Sequence, residues 1–285
     1  MLQAAGLHAA GRHTPRRAAA LAAALSILSL AGATAAADKP PLRAPSSDPH
    51  DISGVWFISH VPAMYSDNII RTSSPPPQVA TRVGQIMWPE DDKEPPFTPA
   101  GAQRFHTWFA AMMSNTPFAD PSTDCIPHGV PRIMMAPYPM QIVQSPGMVT
   151  MLFEVNHNIR QIVLDRPMPK HVKINQMGTS RGHWEGDTLV IETAGLSSSA
   201  VFDEIGTPHS DRLKVTERIR KVKDGKGLED LMSFDDPVTY SRTWTTRKVL
   251  DWRPDIQLAE YVCEENNRNP SDGKGHASAK LVSRP

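Results

Sequence analysis

The chain has 285 residues, in which 30 lysines and arginines balance 30 aspartates and glutamates, so the net charge at neutral pH is zero. A protein without net charge has no overall electrostatic field that attracts a nucleic acid or an anionic membrane, and we expect neither as a partner. A hydrophobic content of 40% supplies a core for one large β domain or two small ones.

Residues 1–37 have the organisation of a secretory signal peptide. Arginines precede an apolar run at 18–30, and small residues follow as far as Ala37. The apolar run is too short to span a bilayer comfortably, and no later run approaches the ~20 apolar residues of a spanning helix. We therefore expect a periplasmic or secreted protein that is not embedded in a membrane.

A single β-rich domain is predicted over residues 38–265, with an irregular and helical insertion at about 62–139. The stretch DISGVWFISH, at 51–60, alternates like a first strand. After proline-rich segments, Thr98-Pro99 predicts a helix start, as an N-cap followed by proline. This helix has an apolar stripe that favours packing on the sheet or at one end of a barrel. The stripe consists of Phe105, Trp108, Phe109 and Met112.

From residue 140 onward, short strands follow one another at close spacing. Tight turns are indicated at Pro146-Gly147, at 156–158 and at 185–187. Roughly nine or ten strands without interleaved helices exclude a parallel α/β sheet. An antiparallel meander of this size hides its edges by closing into a barrel, so the predicted fold class is all-β and barrel-like. The polar tail, 266–285, is predicted to be disordered.

Two resemblances fit this interpretation. Gly54-Val55-Trp56 resembles the Gly-x-Trp near the first strand of lipocalins and other calycins. Residues 120–268 resemble a family of uncharacterised exported bacterial proteins, through DPSTDCIPHGVPRIM, GHWEGDTLVIET, PHSDRLKVTER and EYVCEENNR. The second resemblance implies a shared fold and carries no reaction.

Cys125 and Cys263 are the only cysteines in the sequence. An exported protein meets an oxidising compartment, which favours a single disulfide between them. Two free thiols, or a nucleophilic Cys263, are the alternatives.

The stretch GTPHSDRLKVTERIRK, at 206–221, predicts a strand from near His209 with three ionisable groups on its inner face. Successive side chains of a strand point to opposite sides, and the even positions here are basic or polar. The odd positions must then face inward, which places His209, Asp211 and Glu217 among apolar neighbours. These three are the candidate catalytic residues.

Each candidate has a chemical role and a structural alternative. Glu217, in mid-strand, suits a general acid or base, and Asp211 could orient the His209 imidazole. Alternatively, Glu217 forms an internal ion pair with Arg160 or Arg242, and the other two serve as turn residues.

A ligand site is expected to combine polar groups with aromatic rings, because tryptophan stacks on ligand rings and methionine adapts to them. The residues assigned to ligand binding are Arg160, Arg242, His157, Tyr261 and Trp184.

Metal and cofactor signatures are missing from the sequence. A metal site would have to gather His209 and Asp211 with His157, His128 or His183, without HExxH or CxxC spacing. Gly178-Thr179-Ser180-Arg181-Gly182 has the G-x-S-x-G spacing, but a β-hairpin and no helix is predicted after it, so the strand-to-helix elbow of a serine hydrolase of that type is lacking. No metal or cofactor is assigned.

The sequence favours an exported small-molecule protein with an apolar or aromatic ligand inside a β-barrel. The alternative is a periplasmic isomerase, cyclase, lyase or hydrolase that uses Glu217 and His209/Asp211 as general acid and base. The pattern leaves catalysis, the ligand and the oligomeric state open, because one barrel scaffold hosts both carriers and enzymes.

Overall fold

The computed structural model describes residues 44–58, 94–113, 124–200, 202–203 and 205–263. The described residues all belong to one compact unit. The predicted signal peptide and the predicted disordered tail lie outside the described residues.

Nine strands form a closed barrel, in which neighbours along the chain are hydrogen-bonded and the last strand pairs with the first. The strands are β1 (Gly54–Phe57), β2 (Met140–Ser145), β3 (Met148–Phe153), β4 (Ile159–Leu164), β5 (Thr179–Glu185), β6 (Thr188–Ala194), β7 (Lys214–Val222), β8 (Gly227–Asp235) and β9 (Trp244–Trp252). The predicted all-β barrel is confirmed. Closure pairs every one of these strands on both sides, so the barrel presents no open edge among them.

The strand pairing differs from the predicted meander at one position. β4 and β5 are parallel, with Ile162 opposite Ser180, whereas the other pairs are antiparallel. The connection at 165–178 is long enough to carry the chain back before β5 begins, which a tight turn cannot do. The stretch IQLAEYVCEEN, at 256–266, also predicts a last strand, but no strand is formed over 256–263.

The barrel interior is filled by side chains that alternate along each strand. On β8, for example, Leu228, Met232 and Phe234 are completely buried. Full burial of such a side chain contributes about 1.5–3 kcal/mol relative to exposure. The apolar core includes Trp56, Ile142, Met151, Ile162, Ile191, Val215, Ile219 and Trp244.

Helix α1 (Pro99–Met113) packs at the barrel end where β6 leaves and β7 enters. Its start is as predicted, because the Gly101 N–H donates to the Thr98 hydroxyl at 3.1 Å. From this helix, Arg104 donates to the His209 carbonyl at 3.3 Å.

The segment 129–136 is buried throughout and closes the same end of the barrel. It contains a 3₁₀ turn, Arg132–Met135. Gly129 has a φ of +70°, and a side chain there would collide with the Gln176 carbonyl, so glycine permits the close approach of this segment to the barrel. We call residues 129–136 the plug.

The opposite end is crossed by residues 44–53. His50 Nε2 lies 2.8 Å from the Gly186 carbonyl in the β5–β6 turn, and Lys221 near the end of β7 donates to the Ser46 carbonyl at 2.9 Å. Ile52, which is fully buried, donates its N–H to the Gln144 side chain at 2.7 Å. Both ends of the barrel are therefore covered by chain.

The predicted disulfide between Cys125 and Cys263 is present. It joins the chain just before the plug to the end of the segment that follows β9. The described part of the chain contains no helix with the length and apolar character of a membrane span.

Candidate functional site

A cluster of charged side chains lies inside the barrel, where an apolar core is the norm. It consists of Arg160 on β4, Glu217 on β7, Asp230 on β8 and Lys248 on β9. Each is at most 6% exposed. We call these four residues the interior cluster. Their formal charges cancel when all are ionised, but each charge has lost its water and needs a partner from the protein.

Arg160 and Glu217 form one fully satisfied half of this cluster. The guanidinium donates to both carboxylate oxygens, with Nη1 at 2.9 Å from Oε1 and Nη2 in contact with Oε2. Its remaining donors reach the hydroxyls of Ser180 at 3.1 Å and Thr193 at 2.8 Å. A bidentate ion pair with these additional hydrogen bonds has few hydrogen-bonding groups left for a ligand. Glu217 therefore forms the internal ion pair that the sequence indicated as the alternative to a catalytic role, and its partner is Arg160.

Asp230 and Lys248 form the other half, and it is poorly satisfied. They are direct neighbours across β8 and β9, with Lys248 Nζ 3.9 Å from Asp230 Oδ2. Among the described residues, neither oxygen of the Asp230 carboxyl has a hydrogen-bond partner. Lys248 Nζ donates instead to the backbone carbonyl of Met134 in the plug. A buried carboxyl without a donor is uncommon and costly, so it requires an explanation.

The protonation of this second half reflects its burial. Loss of water raises the pKa of Asp230 to about 8, and the neighbouring negative charge of Glu217 adds to the rise. Loss of water lowers the pKa of Lys248 to about 8, against the opposing attraction of Asp230 and Glu217. Both groups prefer their neutral forms more than they would in water.

Met134 brings the plug into the interior cluster. Its sulfur lies 3.3 Å from Arg160 Nη1, while its carbonyl contacts Lys248. Plug and cluster therefore occupy one continuous interior region, and the plug residue contacts both halves of it.

An aromatic wall adjoins the cluster on the plug side of the barrel. Phe234 and Trp244 are paired across β8 and β9, with ring centroids 4.5 Å apart. Phe202 meets Phe234 edge to face at 4.5 Å, and Tyr240 meets Trp244 at 5.5 Å. Asp230 and Phe234 share the inner face of β8 with the buried Met232 between them, so the barrel interior has a polar part and, beyond Met232, an aromatic part.

The predicted catalytic trio is not assembled. Strand β7 begins at Lys214, so the predicted strand from His209 starts too early, and His209 lies in a buried loop. Asp211 is exposed and lines a surface cleft of about 330 Å³ outside the barrel, which corrects its expected inward orientation. Only Glu217 occupies the inner face as predicted. The chain turns at Ser210, whose hydroxyl donates to Asp236 at 2.7 Å, and this turn breaks the alternation.

His209 is held by its local structure. Its Nδ1 lies 2.9 Å from the Ser210 carbonyl, and its ring packs edge to face on Phe202 at 5.9 Å. Burial lowers the pKa of His209, and the charges facing it are Asp236, which opposes the change, and Arg104, which adds to it. The imidazole is therefore kept neutral near pH 7.

The residues assigned to ligand binding are spread over the molecule. Arg242 is exposed in the turn before β9, which corrects its expected place inside the barrel as a partner of Glu217. His157 Nε2 accepts the Tyr261 N–H at 2.9 Å, so these two residues fix the segment after β9. Trp184 is half-buried and stacks on His50 at 4.5 Å. Of the assigned residues, Arg160 alone belongs to the interior cluster.

Sequence reasoning missed Asp230 and Lys248. The alternation that placed Glu217 inside applies to β8, where Asp230 sits between Leu228 and Met232 on one face. It applies equally to β9, where Lys248 sits between Thr246 and Leu250. The same period-two pattern was sufficient to find both residues.

A second surface cleft, of about 280 Å³, lies where β4 ends, and Arg166, Arg181 and His183 line it. Within the described residues, no group of three or more histidine, cysteine or acidic side chains is placed to hold a metal ion.

Comparison of the chain with protein-family models, curated proteins and solved structures found no match. Function is therefore inferred from the geometry of the barrel interior.

Proposed function

We propose that this is an exported protein that binds a small molecule inside its barrel, between the Asp230–Lys248 pair and the aromatic wall. The observation that carries the proposal is the Asp230 carboxyl, buried with no donor for either oxygen among the described residues. A purely structural core gains nothing from such a group, and apolar residues of similar volume are often as stable. A ligand with a hydrogen-bonding group would satisfy it.

The interior favours a ligand with one polar end and one apolar or aromatic end. Asp230 and Lys248 supply the polar contacts, while Phe234 and Trp244 supply a flat apolar surface. Sites for small molecules commonly combine mostly apolar walls with a few polar groups that fix orientation.

Ligand entry requires the plug to move, because its Met134 occupies the space beside Lys248. The plug lies between a disulfide-anchored residue, Cys125, and β2. The contact with Lys248 is made by the Met134 backbone carbonyl, so the backbone of the plug has to shift. Displacement of Met134 would free the Lys248 amine for the ligand.

Export is part of the proposal. Its support is the arginine-led apolar run at 18–30 in the sequence, together with the disulfide, which is stable in oxidising compartments.

The test is mass spectrometry of compounds released from the purified full-length protein upon denaturation. The variant Asp230→Leu/Lys248→Met removes the polar anchors with near-matched volume. Its control is Glu192→Gln, an exposed acid on the outer face of β6. We expect wild type and control to release the same compound and the double variant to release little. Equal release from the double variant, or no compound from wild type, would count against an interior site.

An enzymatic function is the second candidate, and one observation favours it. The pKa values of Asp230 and Lys248 are both moved to about 8, close to the range in which a general acid or base works best. An isomerase, cyclase, lyase or hydrolase in this barrel would then use Asp230 and Lys248. Glu217 is engaged by Arg160, and His209 and Asp211 lie outside the cluster.

A further inference from the structure

Lys248 differs in its surroundings from the surface lysines of the chain. It is 6% exposed, whereas Lys214 on the outer face of β7 is exposed. The charged groups of the cluster that face it are Asp230, Glu217 and Arg160. Burial and the nearby guanidinium disfavour the ammonium form, and a lysine of this kind is a nucleophile near neutral pH.

A carboxyl group and a carbonyl oxygen already lie beside this amine. Asp230 is 3.9 Å from Nζ, and its oxygens have no hydrogen-bond partner among the described residues. The Met134 carbonyl contacts Nζ directly and holds the position that a ligand carbonyl would take once the plug has moved. An amine and an acid are two of the components that imine formation needs, and displacement of the plug would supply the place for the third, a ligand carbonyl.

We propose that Lys248 forms a Schiff base with an aldehyde or ketone ligand whose apolar or aromatic part lies against Phe234 and Trp244, with Asp230 as the proton donor and counterion. This inference rests on the proposed interior site and names the ligand class for it. Displacement of Met134 would bring the ligand carbonyl to the amine in place of the backbone carbonyl.

The reaction balances with the groups present. The neutral Lys248 amine attacks the carbonyl carbon, a C–N bond forms, and the oxygen takes the proton of the Asp230 carboxylic acid. The nitrogen then returns one proton to Asp230. The C–O bond breaks as the hydroxyl takes that proton and leaves as water. The products are a protonated imine, one water and the Asp230 carboxylate.

The interior charge does not change in this reaction. A neutral acid and a neutral amine become a carboxylate and an iminium cation, which remain beside each other. Charges are costly in a water-poor interior unless they are paired. The Asp230–Lys248 site can therefore hold both the neutral reactants and the paired ions of the product.

The test uses the full-length protein with benzaldehyde and sodium cyanoborohydride, followed by peptide mapping. The reductant converts an imine into a stable benzyl-lysine. We expect Lys248 to be benzylated on the order of tenfold or more faster than Lys214, because an exposed lysine is almost fully protonated at pH 7. In protein unfolded in urea, the two lysines should react at similar rates. Equal rates in the folded protein, or no benzylation of Lys248, would overturn the proposal.

Two variants and a matched ligand refine the test. Lys248→Met has a near-matched volume and no amine, so it should lose the adduct, while labelling of Lys214 stays unchanged. Asp230→Asn should slow benzylation of Lys248. A persistent rate with Asn at 230 would remove Asp230 from its role as proton donor.

Benzyl alcohol has the same ring without the carbonyl, so it separates this inference from the proposed function. A rise in melting temperature with benzyl alcohol, absent in the Asp230→Leu/Lys248→Met variant, but no adduct with benzaldehyde, would leave the interior site standing and end the Schiff-base proposal. An effect of neither compound would count against both.

Discussion

The two halves of the interior cluster are buried alike and satisfied very differently. Arg160 has a carboxylate, two hydroxyls and a sulfur around its guanidinium, whereas Asp230 has no hydrogen-bond donor among the described residues. In the first half, the hydrogen bonds offset the loss of water and fix one arrangement. In the second half, no hydrogen bond offsets the loss of water around the Asp230 carboxyl, and a ligand could supply one. Burial alone therefore does not identify a site, and the state of the hydrogen bonds does.

Loss of the satisfied half should have the largest effect on stability. In Glu217→Gln the buried Arg160 loses its counter-charge, and we expect the free energy of unfolding to fall by about 3–5 kcal/mol. Urea unfolding followed by circular dichroism measures this change. The exposed Glu192→Gln is the control and should stay within about 0.5 kcal/mol of wild type.

A second variant separates charge from packing in that half. Arg160→Met/Glu217→Leu replaces the pair with apolar side chains and should recover most of the stability that Glu217→Gln loses. If the single and double variants are equally destabilised, the hydroxyl network around the pair matters more than the charges.

The unsatisfied half should appear in the dependence of stability on pH. The pKa of Asp230 is about 8 in the folded protein against an ordinary value of 3.8, so the folded state holds the proton longer. The free energy of unfolding then falls as pH rises from about 4 to about 8. For Lys248 the pKa is lowered from 10.5 to about 8, so stability rises again between about 8 and 10.5.

We therefore expect the wild type to have a stability minimum near pH 8 relative to Asp230→Leu/Lys248→Met. Urea titrations across this pH range measure the difference. A constant difference between the two proteins from pH 5 to 10 would show that the pair does not change protonation on unfolding.

Two buried threonines allow the most closely matched comparison. Their replacement should have the smallest effects on the free energy of unfolding. Thr193 accepts from Arg160 at 2.8 Å, while the buried Thr246 hydroxyl has no hydrogen-bond partner among the described residues. Thr193→Val should cost about 1–3 kcal/mol, because it leaves a charged donor short of an acceptor. Thr246→Val should cost less than about 0.5 kcal/mol or stabilise slightly, since no bond is lost. Thermal unfolding of both variants compares them directly, and equal costs would contradict the difference between the halves.

Much of the fold was predictable from local patterns. The hairpin turns at Pro146-Gly147 and at 185–187 lie between the predicted strands, and Thr98 caps α1 as expected. The parallel pairing of β4 with β5 was not predictable, because it depends on the path of residues 165–178 across the barrel. A sequence indicates where a strand lies more reliably than which way its partner runs.

The site was only partly predictable. Alternation placed Glu217 inside and would have placed Asp230 and Lys248 there too, since all three lie in mid-strand. It failed for Asp211 and Arg242 because the strands begin later than the pattern suggests, at Lys214 and Trp244. Which arginine would meet Glu217 depended on the closure of the barrel, a long-range property that neither strand encodes.

The disulfide divides the barrel into unequal parts. Cys125 and Cys263 enclose β2 to β9 in one covalent ring and leave β1, only four residues long, outside it. In the chain-entropy model, such a ring raises the free energy of the unfolded chain by about 4–5 kcal/mol. It also keeps the eight strands β2 to β9 near one another. Strand β1 lies outside the ring and is not held by the disulfide. Strand β1 is held between β2 and β9 by backbone pairing and by Trp56, which is buried there against Trp252 at a ring distance of 5.1 Å.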